Sequence, residues 1–574
     1  MIETYPTWAQ EFAQKYLSRT MNQFVLYGNV HDLVDADTST DKPRFERLKT
    51  FLSDEFFGAR DFVIFYDRAS GIYFRDQKSQ IDFNQAISGR DTLTGTEYAK
   101  KLPKDPVGVF SILEQYLRSR LDMQKSVAVI IDYAETIIPM NEAGSTGTED
   151  RNSLVYLLKW AHDPLFMASD FTTVLITENL ADINKTLIQN PYTSEIRIPL
   201  PEKSQRKLFL SNEIDEVTFK EISDVPLEVL AQQTAGLNFV NLRSIISDAR
   251  ENKQRITYKK LTEIKKELIE AEAYGLLEFI EPGYTLDLVA GHKSAKIHLR
   301  ETVQALKNGR PDVIPMGYLV CGPVGTGKTF LVTCFAGEIG IPMVKLKNFR
   351  SQWQGVTEGN LQKILGLLKA MAPVAVMIDE ADAYLGKRSA SGDSGVSSRV
   401  FSQIASFMSD TENRGRIIWF LMTARPDLMP VDLKRQGRAE EHLALFPPDT
   451  VEERTELFEA MKKKTGLKMS EEYIPKKIKS GKLSFSGADM EAALTRAKFQ
   501  AAAQQLSEVT PEIIDNVLDD FLPPTYPDEV ELQTLSAVLE CTSKKLLPEK
   551  YQKMDRGEIL THIENLKSKA GSLA

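Results

Sequence analysis

The sequence predicts an α/β protein: two parallel-sheet units, each followed by a helical lid, and a small helical appendage near its end. Three observations carry this. Short apolar, β-rich runs alternate with amphipathic helical patterns, the mark of parallel sheets covered on both faces. The order of those runs occurs twice, at a period far longer than a solenoid repeat. With 574 residues, 42% of them apolar, the chain is long enough for about four compact units.

The remaining composition narrows the class. There are 80 acidic and 71 basic residues, a net charge of −9, which argues against coating nucleic acid by bulk charge. No apolar run approaches the ~18–20 residues of a membrane-spanning helix, and the opening MIETYPTWAQEF lacks a secretory pattern. Cys321, Cys334 and Cys541 form neither a disulfide framework nor a C-x-x-C site. A reduced, cytoplasmic compartment is expected.

Along the chain, the first copy opens with the strand QFVLYGNVHDLV (23–34). It continues through helix SILEQYLRSRL, acid-ended strand SVAVIIDYAE, helix LVYLLKWA, and strands FTTVLITENL and SEIRIPLP. Residues 254–275 read as a charged amphipathic helix stopped by Gly275 and Pro282-Gly283. The second copy repeats the order: LQKILGLLKAM, PVAVMIDEADA, VFSQIASFM, RIIWFLMTARP and HLALFPP. A Gly/Ser-rich loop is expected at 386–398. After Leu522, Pro-Pro-Thr-Tyr-Pro breaks the helical pattern, and Leu532, Leu535, Leu539 and Leu546 sit at helix-packing spacings. The expected domains are 1–253 (core and lid), 254–283 (linker), 284–448 (core), 449–522 (lid) and 523–574 (appendage).

The strongest chemical signal is Gly322-Pro323-Val324-Gly325-Thr326-Gly327-Lys328-Thr329. It follows an apolar strand and opens a helix, the context in which glycines turn backbone N–H groups toward phosphates and the helix N-terminus adds partial positive charge. Lys328 is expected at the outer phosphates of ATP and the Thr329 hydroxyl at Mg²⁺. About fifty residues on, VAVMIDE (374–380) delivers Asp379, suited to the Mg²⁺ site, and Glu380, suited to orient or deprotonate water.

P-loop, Ile-Asp-Glu and TARPDLMPVDLKRQGR (423–438), in that order, resemble the AAA+ ATPases, in the branch of vacuolar-sorting and tandem sporulation-related enzymes. The resemblance is dense over roughly two-fifths of the chain, 284–500. It implies two P-loop-NTPase-like units and a ring, usually a hexamer, with ATP sites between subunits. Arg435 and Arg438 match the pair that the family inserts into a neighbour's site, where a cation stabilises transition-state charge. Where the family's sensor strand carries Asn, this chain has Ala424 after Thr423. An alanine polarises no water, so either Thr423 substitutes for the Asn or hydrolysis is slow.

Other matches extend the resemblance. Trp353, in Gln352-Trp353-Gln354-Gly355, stands where the branch has an aromatic pore loop that grips polypeptide by packing. Val289-Ala290-Gly291 matches the adenine-side turn, and Phe485-Ser486-Gly487-Ala488-Asp489 the lid turn, with Gly487 and Ala488 against the nucleotide. The first copy keeps a lid-like TAGLNFVNLRSII (234–246). It has no Gly-Lys-Thr, carries Tyr133 after Asp132, and in LIQNPYTSEIRI (187–198), which does contain Arg197, has no arginine where the trans-acting pair would lie. It therefore reads as a degenerate AAA-like domain, with His31 and Asp32 in a capped loop.

The function expected is a homohexameric, Mg-ATP-hydrolysing ring that remodels or threads a protein substrate. The alternative is a nucleotide-switched scaffold or assembly factor with slow turnover. No H-E-x-x-H or G-x-S-x-G protease motif occurs. The eight lysines between Lys462 and Lys482 read as a solvated lid face.

Overall fold

The computed structural model describes residues 4–37, 43–94, 98, 102–140, 148–252, 254–273, 275–281, 283–347, 358–385, 396–480, 485–522 and 526–571. The expected pore residue Trp353 and most of the expected loop at 386–398 lie outside the described residues. The chain divides into two compact units, Met1–Ala273 with Gly355–Met371, and Tyr274–Gln354 with Ala372–Ala574. The helix Tyr258–Glu272, read from the sequence as linker, is counted in the first unit. So is Glu358–Met371, read as part of the second core.

In the first unit the strands are β1 (Gln23–Gly28), β2 (Leu33–Asp37), β3 (Arg44–Arg47), β4 (Phe62–Asp67), β5 (Gly71–Phe74), β6 (Val127–Ile131), β7 (Phe171–Thr177) and β8 (Thr193–Ile198). The main sheet runs β5-β4-β6-β7-β1-β8, parallel except for β5. Every residue of β4, β6 and β7 is buried, so these strands read as unbroken apolar runs rather than as alternation. One face packs around Phe110, Trp160 and Phe83, the other around Phe12, Phe24 and Phe51. Helices Lys203–Glu213, Leu227–Gln233 and Phe239–Glu251 follow.

The expected single strand 23–34 is broken, because the chain leaves the sheet at Gly28. There φ is +101°, and a Cβ would stand 2.6 Å from the carbonyl oxygen of Ile198 on β8. Asn29 N–H then donates to that same carbonyl at 2.9 Å. Beyond the turn, β2 pairs with β3 as a separate antiparallel hairpin.

The second unit holds β9 (Leu277–Ile280), β10 (Gly317–Cys321), β11 (Met343–Leu346), β12 (Val374–Ile378), β13 (Ile417–Thr423) and β14 (Glu441–Ala444). Its order is β14-β10-β13-β12-β11-β9, parallel except for β9. Strand for strand, β10, β11, β12, β13 and β14 take the places of β1, β4, β6, β7 and β8. Only the antiparallel edge is built differently, by a strand that precedes the P-loop rather than by a hairpin. Four helices, Val451–Thr465, Lys476–Ser480, Gly487–Ala503 and Pro511–Asp520, form the lid around Phe458, Leu494 and Leu518. The appendage consists of Pro527–Glu540, Glu549–Gln552 and Arg556–Gly571. Among the described residues no helix is long and apolar enough to cross a membrane.

Candidate nucleotide site

The parallel strands of the second unit end on one edge, and the sequence motifs emerge from their carboxyl ends. Cys321 pairs with Thr423, and Ile378 with Leu421, in register. The P-loop, the Asp379-Glu380 pair and the end of the sensor strand therefore converge at a sheet edge, where open α/β sheets place their ligands. Gly322 begins the turn at φ +146°, where a Cβ would lie 2.1 Å from the Leu445 carbonyl oxygen. Only glycine lets the loop leave β10 beside β14.

Lys328 opens the helix Lys328–Ile339. Its Nζ donates to the carbonyls of Gly322 (2.7 Å) and Pro323 (2.9 Å), so the ammonium sits inside the loop. Burial pulls its pKa down to about 8, opposed by Cys321, Asp379 and Asp382. The first N–H groups of this helix have no intrahelical acceptor. Together with the ammonium they suit the β- and γ-phosphates of a nucleotide.

Thr329 Oγ1 donates to Asp379 Oδ2 at 3.2 Å, and Lys345 Nζ stands 3.5 Å from the same oxygen. A hydroxyl and a carboxylate are hard oxygen donors, and with phosphate oxygens and water they fit Mg²⁺. Asp379 Oδ1 accepts the N–H of Glu380 at 3.1 Å. Glu380 itself has φ +50° and is exposed. Its left-handed backbone turns the chain off the strand and leaves the carboxylate exposed at the sheet edge.

Thr423 is buried, and its hydroxyl proton is engaged. It donates to Asp382 Oδ1 at 2.6 Å and accepts from the Arg425 N–H at 2.8 Å. Asp382, which the sequence reading passed over, is thereby fixed beside Lys328. Its signal was available: an acid three residues after Asp379, in the first turn of Ala381–Leu385.

The lid and the adenine-side turn also reach the loop. Gly487 N–H donates to the Gly325 carbonyl at 3.1 Å. Gly325 has φ +83°, and a Cβ there would lie 2.5 Å from Ser486 Cβ. Ser486 and Asp489 cap the helix carrying Gly487 and Ala488. Val289 is buried and Ala290 packs on the lid core, while the Gly291 N–H is held by Glu456 at 2.9 Å. His292 Nε2 lies 3.2 Å from the Thr326 carbonyl, and burial holds its imidazole below the usual range.

The two arginines differ. Arg435 has 61% of its side chain exposed, with Asp432 at 3.6 Å. Arg438 is 9% exposed, and its Nη1 donates to the Asp432 carbonyl at 2.8 Å. Among the described residues neither contacts the P-loop or the Asp379-Glu380 pair of its own chain.

The first unit repeats the scaffold with different side chains. Tyr133 has φ +51°, and its N–H donates to Asp132 Oδ1 at 3.0 Å, as Glu380 does to Asp379. Lys49 Nζ is paired with Asp132 at 2.8 Å. Asp32, 2% exposed, accepts from the N–H groups of Phe239 (3.0 Å) and Val240 (3.1 Å) and from Asn29 Nδ2 (2.9 Å).

Comparison with known families gives three matches. Residues 2–199 match the AAA+ chaperone N-terminal Rossmann-like domain, and residues 204–274 the AAA+ chaperone second helical domain. Residues 318–446 match the ATPase family associated with various cellular activities (AAA). Among curated proteins, the chain is 27% identical over 470 residues to the cell division cycle protein 48 homolog of Archaeoglobus fulgidus, covering 73% of this chain and 63% of that one. It is 32% identical over 256 residues to the chloroplastic ATP-dependent zinc metalloprotease FTSH 1 of Oryza sativa subsp. japonica, covering 43% of this chain and 37% of that one. It is 27% identical over 381 residues to the uncharacterized AAA domain-containing protein ycf46 of Trieres chinensis, covering 61% and 75% respectively. The chain thus spans less than two thirds of the length of the first two relatives.

Proposed function

We propose that this chain, whose residues match an AAA+ chaperone region followed by an AAA domain, is an AAA+ ATPase: a cytoplasmic ring, a homohexamer, that hydrolyses ATP in its second unit to remodel or thread a protein substrate. The observation that carries the reading is the convergence of Lys328, the Thr329–Asp379 pair and Glu380 on one sheet edge. Lys328 binds the outer phosphates, and Thr329 and Asp379 hold Mg²⁺, which when bound neutralises charge on the phosphate oxygens. Glu380 accepts the proton of the attacking water. Val289, Ala290, Gly487 and Ala488 bound the adenine side.

Arg435, exposed on its own subunit, supplies the cation for a neighbour's site. Arg438, folded onto Asp432, shapes the segment that presents it. Trp353 grips the substrate in the pore. In this reading the first unit holds no nucleotide: the loop after β1 carries the Asp32 carboxylate, bonded to the N–H groups of Phe239 and Val240, in place of a Gly-Lys-Thr loop, and Lys49 neutralises Asp132.

A second reading, a nucleotide-switched scaffold with slow turnover, is favoured by the engagement of Thr423 with Asp382 beside Ala424. ATP turnover per subunit, followed against protein concentration alongside sedimentation, separates the two. Turnover that climbs as the ring assembles supports the machine. Assembly with ATP bound and turnover near background supports the scaffold, and concentration-independent turnover by a monomer ends the ring.

A further inference from the structure

The appendage helix Pro527–Glu540 reaches the P-loop itself. Gln533 is 4% exposed, and its Oε1 accepts the backbone N–H of Val324 at 3.0 Å. Its Nε2 lies 3.4 Å from Glu529 Oε1, one turn back on the same helix. A buried amide is costly unless its polar atoms are matched. Here the match is a backbone donor of the phosphate-binding loop.

That donor sits at a sensitive place. Thr326 N–H bonds back to the Pro323 carbonyl at 3.4 Å, and Gly325 between them has φ +83°. This is the pattern of a type II turn, with Val324 at its second position. The N–H at that position faces away from the turn's own hydrogen bond and needs an outside acceptor. The C-terminal end of the same helix is anchored too. Glu540 pairs with Lys434, and its carbonyl lies 2.8 Å from His442 Nδ1. From the last helix, Lys567 Nζ holds Asp427 at 2.8 Å. The helix is thus fixed at both the nucleotide loop and the segment leading to Arg435.

We propose that Gln533 is a positioning residue of the ATPase site: it holds the Pro323–Thr326 turn in the shape that aims the following N–H groups at the phosphates. The proposal rests on the reading of the second unit as the hydrolysing one. Its signature is a selective effect on ATP capture. Gln533 touches neither the water-activating Glu380 nor the Thr329–Asp379 pair among the described residues, so it acts on KM rather than kcat.

The test uses the full chain and four proteins: wild type, Gln533→Met, Val324→Pro, and the double variant. Methionine keeps the volume and removes the acceptor. Proline is favoured at the second position of a type II turn, where it fixes φ and deletes only the N–H. Gln533→Met is expected to raise KM for ATP about tenfold, the worth of one hydrogen bond, with kcat within about twofold. In the Val324→Pro background the same change is expected to alter KM by less than about twofold, because the bond is already gone. An unchanged KM in Gln533→Met, or an undiminished effect in the double variant, overturns the proposal. Should Gln533→Met not fold, amide hydrogen exchange at Val324 in the wild type decides. Exchange slowed about tenfold or more supports the bond, and exchange at the free-chain rate overturns it. An inactive wild type refutes the ATPase reading instead, which keeps the two failures apart.

Discussion

Thr423 gives its hydroxyl hydrogen to Asp382 across 2.6 Å and takes the Arg425 N–H on the same oxygen. The hydroxyl therefore has no free proton with which to orient water, and the side chain next to it is the methyl of Ala424. Its work is to fix Asp382 near Lys328. Thr423→Val removes the donor and orphans both partners, so a stability loss of about 1–3 kcal/mol is expected, read as a lower Tm. Ala424→Asn is expected to raise kcat, because an amide there adds the donor that Thr423, its proton given to Asp382, does not offer to water. A lower or unchanged rate would mean that water is positioned by another group.

Lys328 predicts the pH dependence of nucleotide binding. Its folded pKa is lowered from the ordinary lysine value to about 8, burial being the main cause. Above that pH the folded chain has lost the proton that the unfolded chain still binds, so the ligand-free fold gains stability as pH rises from about 8 toward the unfolded value. ATP binding runs the other way, since the phosphates need the ammonium. Affinity is expected to fall by up to about tenfold per pH unit above about 8, measured by calorimetry. Lys328→Ala is expected to abolish binding at every pH.

The unlike settings of the arginines separate their variants. Arg435→Ala should leave Tm unchanged and reduce turnover by about 10³-fold or more, the usual worth of a trans-acting arginine. Arg438→Ala should lower Tm, because its contact with the Asp432 carbonyl is internal. Mixing Arg435→Ala with Glu380→Gln subunits should restore part of the activity, since one interface then holds an intact half from each.

The Asp32 cap predicts the behaviour of the first unit. Asp32→Ala removes acceptors from two N–H groups at the start of Phe239–Glu251, and a lost cap costs about 1–2 kcal/mol. Thermal unfolding should show the loss, and no nucleotide binding should appear in a Lys328→Ala background. Binding there would give the first unit a working site.

Trp353→Ala separates the machine from the scaffold. In the machine, ATP turnover and assembly stay near wild type while substrate processing is lost. In the scaffold, partner assembly is unaffected. If the indole is ordinary core, its truncation costs about 3–5 kcal/mol and lowers Tm.

Much of this was readable along the chain because parallel strands buried on both faces are written as contiguous apolar runs, and because a P-loop needs its glycines in fixed order. The recurrence of strand order around β6 and β12 followed from that. The break after Gly28 was harder to see, because the apolar run 23–34 carries across it. What ends β1 is the carbonyl of Ile198, 170 residues further along the chain. Asp382, Gln533 and the fold-back of Arg438 depend likewise on partners that no local pattern announces. The exposure difference between two arginines three positions apart is invisible in sequence, since it is set by which of them finds the Asp432 carbonyl.

Gly28 and Gly322 meet the same obstacle, a carbonyl oxygen of the neighbouring strand 2.6 Å and 2.1 Å from where a side chain would begin. Only the second unit carries the Gly-Lys-Thr loop, yet the glycine stands at the end of the corresponding strand in both. The constraint is therefore architectural, set by the neighbouring strand rather than by the nucleotide. In a saturation screen scored for soluble, folded protein, Gly28 should tolerate replacement as poorly as Gly322. In the same screen Gly327, where a Cβ would meet no atom within 4 Å but φ is +83°, should be penalised less than Gly322, by backbone strain alone. What the fold demands of the chain at these two turns does not depend on what either unit binds.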